Sequence, residues 1–380
     1  MNVVFVHDHK FRRINGALYS PGGLSDEVIT RYTDIFGTLK IFGRILDEDT
    51  VKGNYSKIIN SAVTILTGEE LKSNIEKADA VIIRLPSING YKAVHYAKKY
   101  RKPYLVEVVG CTLDAYWNYG LKGKVLALPA YCIMRRAVKS APYAVYVTSK
   151  FLQRRYPCNG MTAAISDVAL EDVHEDVLVK RIAKIEDRRT RVILGTAAAV
   201  DVPYKGQEYF IRAIPAIEKK LGILLEYQLA GAGDETRLMQ VADECGISDH
   251  VVFKGTIPHA EIYNWLDSID IYIQPSLLEG LSRALIEAMS RGLPCIASDA
   301  GGNPELLEES CLFKLNEIGQ ISNRICDCIS ELLNEDIMRE QSKRNSEYVN
   351  KHFQNEVLDE SRTEFYSTYL DDIMKKSGGY

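Results

Sequence analysis

Short continuous runs of apolar residues alternate along the chain with longer stretches of mixed apolar and polar positions. Val3-Val4-Phe5-Val6 is such a run, with polar residues after it; Ala80-Val81-Ile82-Ile83 and residues 104–109 and 143–147 repeat the pattern. Segments of helix length lie between them, at 24–36 and 91–100. Continuous apolar strands interleaved with helices predict a parallel sheet covered on both faces. The pattern breaks over residues 159–190, which are polar, poor in strand formers, and include Ile185-Glu186-Asp187-Arg188-Arg189. A second series opens at Arg191-Val192-Ile193-Leu194-Gly195 and continues at 224–229, 251–253, 269–273 and 294–297. The fold is therefore expected to be α/β, with two Rossmann-like doubly wound domains over residues 1–170 and 171–355. A last helical stretch, 356–380, is expected to pack back on the first domain. Ligands bind beyond the carboxyl ends of strands in such sheets, so two facing domains put the chemistry in a cleft.

Composition narrows the function classes. The 380 residues fit two domains of ordinary size, and 46% hydrophobic with 26% charged residues exclude wholesale disorder. Lys plus Arg is 47 against 51 Asp plus Glu, a net charge of -4, which argues against a general nucleic-acid binder. The eight cysteines form no C-x-x-C pair, and Cys326-Asp327-Cys328 is too tight for a metal ligand set. They read as reduced core thiols of a cytoplasmic protein. The opening residues lack the basic start and long apolar stretch of a signal peptide. The longest apolar candidate, 125–134, contains Pro129 and falls short of the ~20 residues of a membrane span.

The densest signal runs from Pro275 to Leu307. It holds in order Pro275-Ser276, Glu279-Gly280, Glu287-Ala288-Met289, Gly292-Leu293-Pro294 and Gly301-Gly302. Glu279 falls in the turn after a strand, and Glu287 eight positions on, inside the helix expected over 282–290. The N–H groups of Gly280, Leu281 and Ser282 are expected at the helix start, where oxygens of an anion or a sugar are bound. The plain alternative is that Glu279 caps the helix and Glu287 lies on a solvated face.

This block resembles the donor-binding region of retaining glycosyltransferases of family 4, enzymes of two Rossmann-like domains (the GT-B fold), here of bacterial surface-polysaccharide type. The resemblance implies that Glu279 contacts sugar hydroxyls and Glu287 the ribose hydroxyls of a nucleotide sugar. A carboxylate accepts two hydrogen bonds from a vicinal diol, which suits both roles. Upstream, Lys205-Gly206 matches the family's diphosphate-binding Lys-Gly. The family's Arg is missing: Gly195 is followed by Thr196, which offers one hydroxyl and no charge. Neutralisation then falls on Lys205, helix N-termini and Arg283 or an Arg of the first domain. Gly255-Thr256-Ile257 resembles the loop that meets the nucleobase.

The first domain resembles the family less. Gly22-Gly23 stands where the family has a loop near donor phosphates and acceptor. Arg84, after a strand, is read either as a phosphate ligand or as half of a buried salt bridge. Glu107 and Asp114 are candidates for acceptor contacts in place of the family's His, which is missing after residues 104–109. His7 and His9 follow the first strand and are read as solvated turn residues or as cleft residues. Lys122, Lys124, Arg135, Arg136 and Lys139 frame the apolar run 125–134, with Tyr116, Trp117, Tyr119 and Tyr131 nearby. That arrangement fits either a peripheral membrane contact or an ordinary helix with a core face.

The resemblance implies transfer of a hexosyl or N-acetylhexosaminyl group from a nucleotide sugar, a UDP-sugar first, to a glycan or lipid-linked acceptor. Anomeric configuration is retained, with no metal and no cofactor. Rival readings are a nucleotide-sugar epimerase or a sugar phosphorylase on the same scaffold, and a non-catalytic nucleotide-sugar-binding subunit. A Rossmann dehydrogenase is excluded because no G-x-G-x-x-G opens the first helix.

Overall fold

The computed structural model describes the chain apart from residues 52–54, 68–69, 119, 171–175, 187–190, 315–319 and 378–380. Tyr119 and residues 187–189 of the charged run thus lie outside the described residues. The chain forms two compact units: residues 1–166 with 358–380, and residues 167–357. The first unit therefore ends four residues before the expected boundary, and it includes most of the last helix.

Unit 1 is built on a nine-stranded sheet. Its strands are β1 (Val3–Ile14), β2 (Ala17–Pro21), β3 (Leu39–Asp47), β4 (Tyr55–Lys57), β5 (Val63–Leu66), β6 (Ala80–Leu85), β7 (Tyr104–Val108), β8 (Tyr143–Tyr146) and β9 (Met161–Ala164). The parallel part reads β5-β3-β1-β6-β7-β8-β9. Strand β1 runs eight residues past its apolar start and turns back antiparallel into β2. The turn is Asn15-Gly16, both at positive φ (49° and 79°), as a two-residue hairpin requires. The polar residues after Val6 are thus strand, not loop.

Helix Asn355–Ser377 closes unit 1. Tyr369 is fully buried, and its hydroxyl pairs with the backbone of Val81 in β6 at 3.3 Å. Its ring meets those of Phe36 and Tyr143 edge-on.

Unit 2 carries six parallel strands: β10 (Arg191–Ala197), β11 (Leu224–Ala230), β12 (Val251–Gly255), β13 (Ile271–Gln274), β14 (Cys295–Ser298) and β15 (Leu312–Phe313). Their order is β12-β11-β10-β13-β14-β15. Helix Gln207–Leu221 buries Phe210, Ile211, Ile214 and Ile217 against Leu194, Tyr227 and Ile271 of the sheet. The chain leaves β10 toward β11 on one side and later returns to β13 on the other. The carboxyl ends of β10 and β13 therefore flank the topological switch point, the ligand position of open α/β sheets. Among the described residues, no helix is long and apolar enough to cross a membrane.

Candidate donor site in unit 2

The segments after β10 and β13 meet at this switch point. After β10 a short 3-10 turn, Pro203–Lys205, presents Lys205. After β13 the turn through Pro275 and Ser276 presents Glu279. The backbone joins the two, with Leu277 N–H donating to the Tyr204 carbonyl at 2.7 Å. Gly206 is left-handed (φ 74°), and a Cβ on it would stand 2.0 Å from the Pro275 carbonyl oxygen. Gly301 plays the same part on the other side: its Cβ would stand 2.1 Å from the Glu279 carbonyl oxygen. Gly302 N–H then donates to the Gly280 carbonyl at 2.7 Å. Two glycines thus let two loops close on the Glu279 turn, where any side chain would force them apart.

Lys205 Nζ lies 2.8 Å from Glu279 Oε1. Behind the carboxylate is a chain of buried groups. Ala197 N–H donates to the Tyr272 hydroxyl at 3.3 Å, and that hydroxyl donates to Gln274 Oε1 at 3.0 Å. The Gln274 amide is thereby oriented, and its Nε2 donates to Ser276 Oγ at 2.7 Å and to Glu279 Oε1 at 3.1 Å. One carboxylate oxygen is therefore fixed by two donors. No hydrogen bond joins Oε2 to a protein group among the described residues, so it is open to a hydroxyl. Glu287, half-buried within helix Arg283–Ser290, lies near the same Tyr272. Burial first, then the charges of Glu287 and Glu279 among others, push the Tyr272 phenol well above its usual range and keep it a donor.

Sequence reasoning missed Gln274 and Tyr272. The signal was present: both point to one face of β13 by the period of two, and a polar residue ends an apolar strand.

Several expected residues fall elsewhere. Strand β10 runs two residues past Gly195, so Thr196 is fully buried in the sheet. Its hydroxyl donates to the Ile273 carbonyl at 2.7 Å and accepts from the Tyr227 hydroxyl at 2.7 Å. It is no phosphate donor. The helix starts at Arg283, not Ser282; Ser282 is its N-cap, accepting from Leu285 N–H at 3.3 Å. Gly280 and Leu281 precede the cap, and the first-turn N–H groups belong to Arg283 and Ala284. Gly255 closes β12, and its carbonyl accepts from Gly231 N–H at 2.8 Å. Thr256 beyond it is exposed and Ile257 half-buried.

In unit 1 the buried-salt-bridge reading of Arg84 holds, and Arg84 and Glu107 are corrected as acceptor contacts. Both are interior, at 6% and 4% exposure, and they pair at 2.8 Å. The Tyr32 hydroxyl donates to Glu107 Oε1 at 2.8 Å and accepts from Arg84 Nη2 at 3.0 Å. The Tyr366 hydroxyl donates to the same Oε1. Asp114 is held by Arg155 Nη1 at 2.6 Å on the neighbouring helix Phe151–Arg155. Gly22 and Gly23 follow β2, with no atom within 4 Å of where a Cβ would stand on either. Ser20 Oγ donates to the Gly22 carbonyl at 3.0 Å and accepts from His9 Nε2 at 2.8 Å.

His7 and His9 are strand residues. Between Val6↔Phe42 and Lys10↔Arg44 the register slips, so His7-Asp8-His9 bulge opposite Gly43 alone. Burial, then the Arg84 charge, lowers His7 to about 3 and His9 to about 4. Both are neutral at physiological pH. Among the described residues no group of three or more His, Cys, Asp or Glu is arranged to hold a metal ion.

Residues 190–331 match the family model described as "Glycosyl transferases group 1". Over 370 residues the chain is 33% identical to Protein CapJ of Staphylococcus aureus, covering 92% of this chain and 90% of CapJ. It is 31% identical over 140 residues to the GDP-mannose-dependent alpha-(1-6)-phosphatidylinositol monomannoside mannosyltransferase of Mycobacterium tuberculosis, covering 35% of this chain and 36% of that one. In fold it is similar to Anabaena Alr3699/HepE, solved in complex with UDP. The TM-score is 0.67 at 15% identity, covering 97% of this chain and all of that one. Two parallel-sheet units, loops closed by Gly206 and Gly301 around Lys205 and Glu279, and a relative matched along nearly its whole length converge on one assignment: the chain belongs to the group 1 glycosyltransferases.

Proposed function

We propose that the protein is a retaining glycosyltransferase of family 4. It moves a hexosyl or N-acetylhexosaminyl group from a nucleotide diphosphate sugar to a hydroxyl of a glycan or lipid-linked acceptor, in polysaccharide or glycoconjugate assembly. The observation that carries the reading is the Lys205–Glu279 pair at the switch point, with one carboxylate oxygen held and the other open. A sugar hydroxyl donates to Glu279 Oε2, and the diphosphate draws Lys205 Nζ away from Oε1. Departure of the nucleotide builds negative charge on the diphosphate, which Lys205 and the N–H groups of Arg283 and Ala284 stabilise without a metal. Glu287 takes the ribose hydroxyls, and the Gly255-Thr256-Ile257 loop takes the base. The acceptor hydroxyl loses its proton to the departing phosphate, so no protein nucleophile is needed.

A UDP-sugar is the proposed donor, supported by the UDP in the Anabaena structure; the mannosyltransferase makes a GDP-sugar the competitor. The same reading seats the protein peripherally at the inner face of the cytoplasmic membrane, with residues 122–139 as the contact. Thermal shift against uridine, guanosine and adenosine diphosphate sugars tests the donor. A UDP-sugar at 100 times its Kd adds about 2.7 kcal/mol to stability. No shift with any nucleotide sugar would sink the reading, and a shift without transfer would leave a binding subunit.

A further inference from the structure

Residues 115–166 contain no Asp or Glu, yet hold eight cations: Lys122, Lys124, Arg135, Arg136, Lys139, Lys150, Arg154 and Arg155. Helix Gly120–Lys139 lies inside this stretch and carries five of them. Its inward stripe is Gly123, Ala127, Met134, Ala137 and Val138, all buried. At ~100° per residue, the stripe diametrically opposite is Leu121, Val125, Leu128 and Cys132. Leu121 is 84% exposed, Val125 76% and Leu128 63%, and Cys132 is exposed as well.

A surface helix is ordinarily apolar where it is buried and polar on the other side. This one is apolar on both. Lys124 and Arg135 line one edge of the outer stripe, and Lys122 and Arg136 the other; all four are exposed. Just before the helix, Trp117 is 55% exposed, with Lys124 Nζ 5.6 Å from its ring centroid. A contiguous exposed apolar stripe marks an interaction surface, whereas scattered exposed apolar residues do not. The charge decides the occupant. A second copy meeting this stripe would bring like charges face to face. An anionic lipid surface meets every edge cation with a phosphate and takes the apolar stripe below the headgroups.

We propose that this outer stripe seats the protein on an anionic lipid bilayer. Leu121, Val125 and Leu128 enter the boundary between headgroups and acyl chains, while Lys122, Lys124, Arg135 and Arg136 bind lipid phosphates. The inference deepens the membrane-proximal part of the function proposed above and rests on it for the acceptor, though the contact itself is independent of turnover.

Co-sedimentation with vesicles tests it. The full chain is expected to pellet with vesicles of phosphatidylcholine and phosphatidylglycerol, weakly with phosphatidylcholine alone, and less as salt rises. Charge removal in Lys122→Gln/Lys124→Gln should weaken anionic binding roughly five-fold per cation. Leu121→Ser/Val125→Ser/Leu128→Ser should weaken it at least roughly tenfold. Both sets of changes are on an exposed face, so thermal unfolding and transfer to a water-soluble acceptor should stay as in the parent chain. Equal pelleting with neutral and anionic vesicles, no pelleting, or full binding by the triple variant would overturn the proposal. So would a dimer in light scattering that the triple variant converts to monomer, which would assign the stripe to a second copy. Failure of transfer on every acceptor, with vesicle binding intact, would count against the glycosyltransferase proposal and leave this one standing.

Discussion

Unit 1 and unit 2 each hold a carboxylate against a cation at 2.8 Å: Glu107 against Arg84, and Glu279 against Lys205. Both carboxylates accept further hydrogen bonds through one oxygen. The surroundings separate them. The Glu107 side chain is 5% exposed and the Arg84 side chain 7%, and two tyrosine hydroxyls, Tyr32 and Tyr366, close on Glu107 Oε1. Lys205 is 25% exposed and Glu279 11%, at the open end of a sheet. The interior pair has its charges answered by other protein groups and holds helix Asn355–Ser377 to the sheet. At the sheet end, Glu279 keeps an oxygen that a ligand can use. What separates the two pairs is this incomplete satisfaction, not the pairing.

The comparison breaks first, and hardest, at Arg84. Arg84→Met removes the cation and leaves Glu107 charged in the interior, which costs about 3–5 kcal/mol. Urea unfolding should show a lower midpoint with an unchanged slope. Arg84→Met/Glu107→Leu should recover part of that loss, since no charge is then stranded. An Arg84→Met protein that is as stable as its parent but no longer transfers sugar would make Arg84 a ligand contact after all.

At the sheet end the effects should reverse: small on stability, large on turnover. Lys205→Ala breaks a partly exposed pair, worth up to about 1 kcal/mol of stability. In the proposed mechanism it also removes the charge that meets the leaving diphosphate, so kcat should fall by about 10²–10³. Glu279→Gln should impair turnover likewise, as an amide offers one acceptor atom where the carboxylate has two. Gln274→Ala should cost less, about tenfold, because it removes one of two donors to Glu279 and leaves Lys205 in place. Parent-like kinetics for Lys205→Ala in a folded protein would return Lys205 to a surface role.

The two regions also differed in how far the sequence revealed them. Lys205 and Glu279 were legible because their loops need glycine for close approach, and glycine in fixed order is visible in a sequence. For Arg84 the sequence left a phosphate ligand and a buried salt bridge equally open, and Glu107 as the partner was not legible, because the pair is closed by Tyr366, 259 positions from Glu107. No local pattern carries that. Thr196 was misplaced for a smaller reason: Gly195 looked like a strand end. Its missing Cβ instead makes room for Trp265 and Ile269, each of which would lie under 3 Å from it. The hairpin at Asn15-Gly16 went unread although its turn signature is in the sequence, because the polar residues before it hid the strand.

Acid sharpens the contrast further, because unit 1 holds two half-buried, neutral histidines near Arg84. His7 and His9 lie at about 3 and about 4 in the folded chain, against an ordinary 6.5. Burial leads both shifts; the Arg84 charge adds to both, with His9 adding for His7 and Arg12 for His9. A folded value below the unfolded one means that the unfolded chain takes up protons first. The stability these residues protect is whole above pH 6.5 and is lost as pH falls toward the folded values. Well below 6.5 the slope approaches about 1.4 kcal/mol per pH unit for each histidine. Between pH 6.5 and 5 ordinary carboxylates remain ionised, so this window belongs to the histidines. Urea unfolding at pH 7 and pH 5.5, with hydrogen exchange read in β1, should show the loss there. His7→Phe should flatten the dependence by about half. A wild-type protein equally stable across that window would show that the bulge opens to protons without unfolding, and that unit 1 is less closed around Arg84 than its hydrogen bonds imply.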